Sequence, residues 1–197
     1  MYRRIRFSLV LVIVLLSITY VAVKVPRVKA SRTIYIRADG SIEPSTANIT
    51  SVDNVTYTFT GNMNDGIVIE RNDTILDGDG YTLQGSGDDV GLNLTSMHNI
   101  TIRNLTVKNF QHGIWLQASS RISIQANTIT NNDSGVVLNS SSSNNTISGN
   151  TITANNWYGV VLSDYSFNNT ISGNTITNNF DGVISPVPTT TLSQQTT

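Results

Sequence analysis

One motif recurs down this chain and leaves few folds open to it: a glycine followed by alternating apolar residues. It reads Gly66-Ile67-Val68-Ile69, Gly91-Leu92-Asn93-Leu94, Gly113-Ile114-Trp115-Leu116, Gly135-Val136-Val137-Leu138 and Gly159-Val160-Val161-Leu162. An imperfect copy follows at Gly182-Val183-Ile184-Ser185. The glycines are spaced 25, 22, 22, 24 and 23 residues apart. A second series runs between them. Ile102, Ile124, Ile147 and Ile171 recur at intervals of 22, 23 and 24, and Val107, Ile129, Ile152 and Ile176 follow five residues behind. Self-similarity at such a period marks a solenoid.

Each unit therefore holds two or three short strands, separated by turns of Asn, Gly, Ser and Asp. A unit this short cannot bury its own apolar side. Stacked units can, each pairing with the coils above and below at about 4.8 Å. The expected fold is all-β: a right-handed parallel β-helix of about six coils over residues 66–185, with N-terminal cap strands over 31–65. Strand alternation assigns the faces. Ile67, Leu92, Ile114, Val136, Val160 and Val183 form one inward column, and Ile69, Leu94, Leu116, Leu138 and Leu162 another. Leucine-rich repeats share the period but not the residue pattern. Asn127, Asn150 and Asn174 fall at equivalent positions, two residues before an inward isoleucine. They are expected to stack as a structural ladder that satisfies turn backbone. None is followed by x-Ser/Thr, so none is a glycosylation acceptor. In the cap, Ile34–Arg37 and Val55–Phe59 read as strands around an Asp39-Gly40 turn.

The two ends differ from the repeat. Residues 1–30 combine Arg3, Arg4 and Arg6 with an apolar run from Phe7 to Val23 and the small residue Ala30. That order is expected of a signal peptide or an uncleaved signal anchor, which places the remainder outside the cell or at its surface. Residues 186–197 are rich in Pro, Thr, Ser and Gln and are expected to be disordered. Six of the twelve basic residues, and none of the thirteen acidic ones, lie in 1–30, which leaves a net charge of −7 beyond it. An acidic surface without a basic stripe argues against nucleic acid as partner. The absence of cysteine excludes disulfides, thiolate metal sites and cysteine nucleophiles.

The run Ile34–Ile42, the segment Leu76–Gly85 and the NNTISGNTIT units at 144–153 and 168–177 resemble archaeal right-handed β-helix repeat proteins. These sit with the NosD-like, carbohydrate-binding and sugar-hydrolase β-helices. The resemblance covers roughly residues 32–184. It implies the fold directly and several functions in the alternative: copper supply for NosD itself, and polysaccharide lyase, epimerase or hydrolase activity for other relatives.

The residues can be set against each function. Copper sites gather Met, Cys or His, yet Met63, Met97, His98 and His112 are scattered and read as surface residues. Glycosidases and lyases need acids gathered on one face. Among the outward positions of the glycine motif Glu70 is the lone acid, so no catalytic residues are assigned. Asp77 and Asp79 form an oxygen-rich turn, a candidate for a weakly held calcium ion, against the plainer reading of tight Asp-Gly turns. Trp115 is expected to face outward beside Val137 and Val161, with Gln117, Asn139 and Tyr158 near it. Aromatic faces beside amides suit the stacking and hydrogen bonding of sugar rings. An apolar stripe covered by protein is the competing reading. Ten Asn-x-Ser/Thr sequons occur, beginning at Asn48, Asn54 and Asn72. The expectation is a cell-surface or secreted glycan-binding or scaffolding β-helix that needs no cofactor. Its partner would be a polysaccharide or a surface protein, and a polysaccharide-modifying enzyme is the alternative.

Overall fold

A computed structural model describes residues 33–185 and the backbone of 191–195. The expected signal segment lies outside the described residues.

Among the described residues the chain is strands and turns, wound as stacked coils. Strands β1 (Ile34–Ile36), β2 (Ile42–Glu43), β3 (Ile49–Thr50) and β4 (Thr56–Phe59) come first. The coils then run β5 (Ile67–Ile69), β6 (Thr74–Asp77), β7 (Thr82–Gln84); β8 (Val90–Thr95), β9 (His98–Arg103), β10 (Thr106–Lys108); β11 (His112–Gln117), β12 (Ser120–Gln125), β13 (Thr128–Thr130); and β14 (Ser134–Asn139), β15 (Thr146–Ser148), β16 (Thr151–Thr153). In the fifth coil β17 (Tyr158–Leu162) is followed by the long β18 (Thr170–Thr177), and in the sixth β19 (Asp181–Ile184) by β20 (Thr191–Gln195).

Like strands pair with like, in parallel and in register, which gives the coil three walls. The first wall is an eight-stranded sheet ordered β19-β17-β14-β11-β8-β5-β1-β2. The other two walls are the stacks β4-β6-β9-β12-β15-β18 and β7-β10-β13-β16-β18, joined where β18 crosses from one to the other. Both expected inward columns are observed. Ile114, Val136 and Val160 are directly paired and fully buried, as are Leu116, Leu138 and Leu162.

The repeating glycine has a steric cause. A Cβ at Gly135 or Gly159 would stand 2.5 Å from the carbonyl oxygen of the next coil's glycine, and one at Gly113 2.6 Å. The obstacle is backbone, so it cannot swing aside. The wall turns its corner here with a glycine and the next residue both facing in, and only a residue without a side chain fits.

The three other-wall corners share a second device. Each places one residue in the left-handed region and buries the next. The left-handed positions are Asn99, Arg121, Asn144 and Asn168 at one corner (φ 54° to 59°), Asn104, Ala126, Gly149 and Gly173 at the second, and Asn109, Asn131, Ala154 and Asn178 at the third. Asn and Gly tolerate this conformation best. Where the successor is asparagine it forms a ladder with its counterparts on the neighbouring coils. In the expected one, the backbone N–H and the side-chain amide of Asn127 both donate to Asn150 Oδ1, and Asn150 repeats this on Asn174. Two more ladders were not anticipated: Asn132–Asn155–Asn179 and Asn145–Asn169. The Asn-Asn pairs at 131–132, 144–145, 168–169 and 178–179 are thus divided in labour, the first bending the chain and the second bonding the stack.

Both ends differ from the sequence reading. The N-terminal strands are part rung and part cap. Ile34 and Ile36 of β1 pair in parallel with Ile67 and Ile69, so the inward columns begin one coil early. β4 likewise pairs in parallel with β6. Among the described strands only β2 and β3 run antiparallel, along β1 and β4, and so cover the end of the stack. At the other end, the tail expected to be disordered carries β20, which pairs in parallel with β18. The open edge of β18 supplies unpaired backbone groups, and the Thr-rich segment satisfies them although its composition reads as a linker.

Candidate binding face

The outward side of the first wall collects the predicted residues into rows set by strand register. Trp115 pairs with Asn93 and Val137, and Val137 with Val161. Two residues further along, Gln117 pairs with Asn139. Three residues earlier, His112 pairs with Ser134, and Ser134 with Tyr158. The register therefore places Trp115, Gln117 and Asn139 on adjacent strands. Tyr158 shares the face but stands in the row of His112, two rungs or about 10 Å along the axis.

Trp115 is half-buried, and no residue of the alternating pattern turns it inward. Its indole stacks on the His112 imidazole, with centroids 5.0 Å apart and planes at 29°. Val137 points outward yet is 6% exposed. The apolar stripe is thus covered in part by its own neighbours. Asn139 accepts from the backbone N–H of Ser140 (2.7 Å) and from the Ser163 hydroxyl (3.3 Å), and both bonds use its oxygen rather than its amide nitrogen. A groove of about 130 Å³ lined by Val68, Asp89, Val90 and Asn93 prolongs the same face toward the N-terminal end. A larger, polar groove of about 400 Å³, lined by Asp79, Asn104, Thr106 and Thr128, lies on another side of the coil.

His112, expected at the surface, is only half-buried there, with one ring nitrogen sunk into the protein. Its Nδ1 is buried and finds no hydrogen-bond partner among the described residues. Burial holds the imidazole below the usual histidine value, opposed by the charge of Asp133. Met63, also expected at the surface, is core instead, 5% exposed. Sequence reasoning also missed a cluster of ion pairs. Glu70 is not alone, because Arg37 binds it and Glu43 together while lying over the Tyr35 ring. The two carboxylates share one guanidinium. A regular spacing could not reveal this, since Glu43 belongs to the antiparallel cap strand.

The acidic turn is engaged by the protein itself. Asp77 accepts from Arg103 Nε (2.8 Å), from the Asn104 amide (3.1 Å) and from the backbone N–H of Asp79 (3.0 Å). Burial pushes its carboxyl up, but the Asp79, Asn104 and Arg103 bonds outweigh this and hold it below the usual carboxylate range. Asp79 and Gly80 both take positive φ, as tight turns require. Among the described residues no three His, Asp or Glu side chains gather as a metal site would need.

The family model for the right-handed β-helix region matches residues 34–192. The chain belongs to the right-handed β-helix family. Neither the curated proteins nor the solved structures gave a match. Within this β-helix protein the matched span includes β1 at one end and reaches into β20 at the other. Residues outside the glycine motifs are therefore coils of the same solenoid.

Proposed function

We propose that this β-helix protein is exported and acts without catalysis, binding polysaccharide along the outward side of its first wall. The observation that carries the reading is the outward, half-buried Trp115, stacked on His112 and bordered by Gln117 and Asn139. An aromatic face with amides at rung spacing offers a sugar ring a stacking surface and hydrogen bonds to its hydroxyls. The outward rows run over several coils in register, which suits a chain more than a small enclosed ligand. The basic and apolar segment 1–30 supports export.

The alternative, a polysaccharide-modifying enzyme, would need an acid free to exchange a proton. The pair Glu43 and Glu70 is the nearest arrangement of that kind, and Arg37 holds both.

The test uses the Trp157→Phe protein, so that Trp115 alone reports. Its fluorescence should change on titration with a panel of soluble polysaccharides, and Trp115→Ala should abolish binding by calorimetry with little change in melting temperature. Unchanged fluorescence and no heat across the panel would reject glycan binding on this face. Release of reducing ends or of unsaturated sugars, lost in Glu70→Gln, would establish the enzyme reading instead.

A further inference from the structure

Ten Asn-x-Ser/Thr sequons are spread over the sequence, and the fold makes them very unequal. Asn132 is spent on the interior: 1% exposed, it accepts from the Phe110 backbone N–H and donates to Val107 O and Asn155 Oδ1. Others hold their carboxamides in surface hydrogen bonds. Asn48 donates to Asn62 O, Asn99 to Asp73 and Asn104 to Asp77. Asn72 accepts from the His98 N–H, Asn93 from the Thr95 hydroxyl, and Asn139 from Ser140 and Ser163. Asn54 is exposed but packs its side chain against Gly40.

Asn144 and Asn168 stand apart. Both occupy the left-handed apex of the same corner on successive coils, with φ of 59° and 55°. Both are exposed, and neither side chain hydrogen-bonds to any described residue. Each is followed two residues later by a half-exposed threonine, Thr146 or Thr170. The neighbouring Asn145 and Asn169 hold the corner by the ladder, so the apex carboxamide can be altered without disturbing the stack.

We propose that the corner of Asn144 and Asn168 is an N-glycan attachment site. The donor would be an oligosaccharide carried on a lipid diphosphate. The Asn Nδ2 forms a bond to the first sugar carbon, that carbon's bond to the diphosphate oxygen breaks, and the lipid diphosphate and the Nδ2 proton leave. Successive coils bring the two apices within about 5 Å, closer than two branched glycans can pack without crowding. The corner therefore carries one chain at a time.

The experiment treats the folded, full-length protein with a purified single-subunit oligosaccharyltransferase and a diphosphate-linked oligosaccharide, then reads intact mass and peptide maps. One glycan per molecule is expected, divided between the Asn144 and Asn168 peptides. Thr146→Val with Thr170→Val should remove it while both asparagines remain. The Asn132 peptide should stay unmodified until the protein is unfolded before treatment. No transfer to the folded chain, with ready transfer to the same chain unfolded, would overturn the proposal. So would transfer mapping chiefly to other sequons. The assay is independent of glycan binding at Trp115, so either reading can fail alone.

Discussion

His112 is the residue whose surroundings fit its chemistry least well. One ring nitrogen is buried without a partner, the ring lies against an indole, and the next coil brings Asp133 toward it. Burial depresses its proton affinity in the folded state, so the unfolded chain binds the proton more readily. Stability is therefore undiminished above the ordinary value of 6.5, begins to fall as the pH drops below it, and reaches its full loss below the depressed folded value. Melting temperatures measured across that window should fall toward acid, and His112→Gln should flatten that part of the curve. An unchanged slope in the variant would show that the imidazole is not the group responsible. The sequence placed His112 one residue before a repeat glycine but could not show its burial. Trp115, three residues on, stacks against it, a contact that the period alone does not reveal. The ladder asparagines were legible for the opposite reason. Asn127, Asn150 and Asn174 each stand at a fixed distance from an inward isoleucine, so their alignment follows from period alone. Their companions at 132, 155 and 179, and at 145 and 169, were hidden because each stands beside another Asn or Ser that dilutes the pattern.

Among elements, the two kinds of glycine separate cleanly. Gly135 lies where the wall bends under the next coil, and any side chain there meets backbone. Gly149 lies at a corner with φ +64° and open space around its Cβ position, and its counterpart Ala126 holds the same conformation with a methyl group. Gly135→Ala should cost about 3 kcal/mol or more, as an overpacking strain that cannot relax. Gly149→Ala should cost about 1 kcal/mol, the usual penalty of a left-handed alanine. Denaturant unfolding of the two variants checks the difference, and equal costs would refute the steric account of the repeat. The strands themselves were readable because the glycine motifs carry both the period and the alternation. The early coil formed by β1 and β4 was not, because its residues lack the glycine. β20 was not, because backbone pairing with an open edge asks little of the side chains.

At the scale of the molecule the coils form a series in which each touches only its neighbours. The middle coils β8 to β16 are paired on both sides, whereas β19 pairs with β17 alone and leaves Val183 only partly buried. Amide hydrogen exchange should accordingly be slowest from β9 to β15 and quicken progressively through β17 to β19. Uniform protection, lost in one step, would instead mark the stack as a single cooperative unit. The ladders add something that the sheets do not. In all eight ladder asparagines the side-chain oxygen accepts from the coil before it: Leu105 or Asn127 or Asn150 at one corner, Phe110 or Asn132 or Asn155 at another, Ile122 or Asn145 at the third. The side-chain nitrogen of each also donates to a backbone carbonyl of that same preceding coil, Ile102 or Ile124 or Ile147 at the first corner, Val107 or Ile129 or Ile152 at the second, Ser119 or Ser142 at the third. Linked from coil to coil, these side-chain bonds polarise one another. Each coil therefore completes the backbone of the one before it, and a stack shortened by one coil exposes a row of unsatisfied donors and acceptors that only another asparagine-bearing coil can fill.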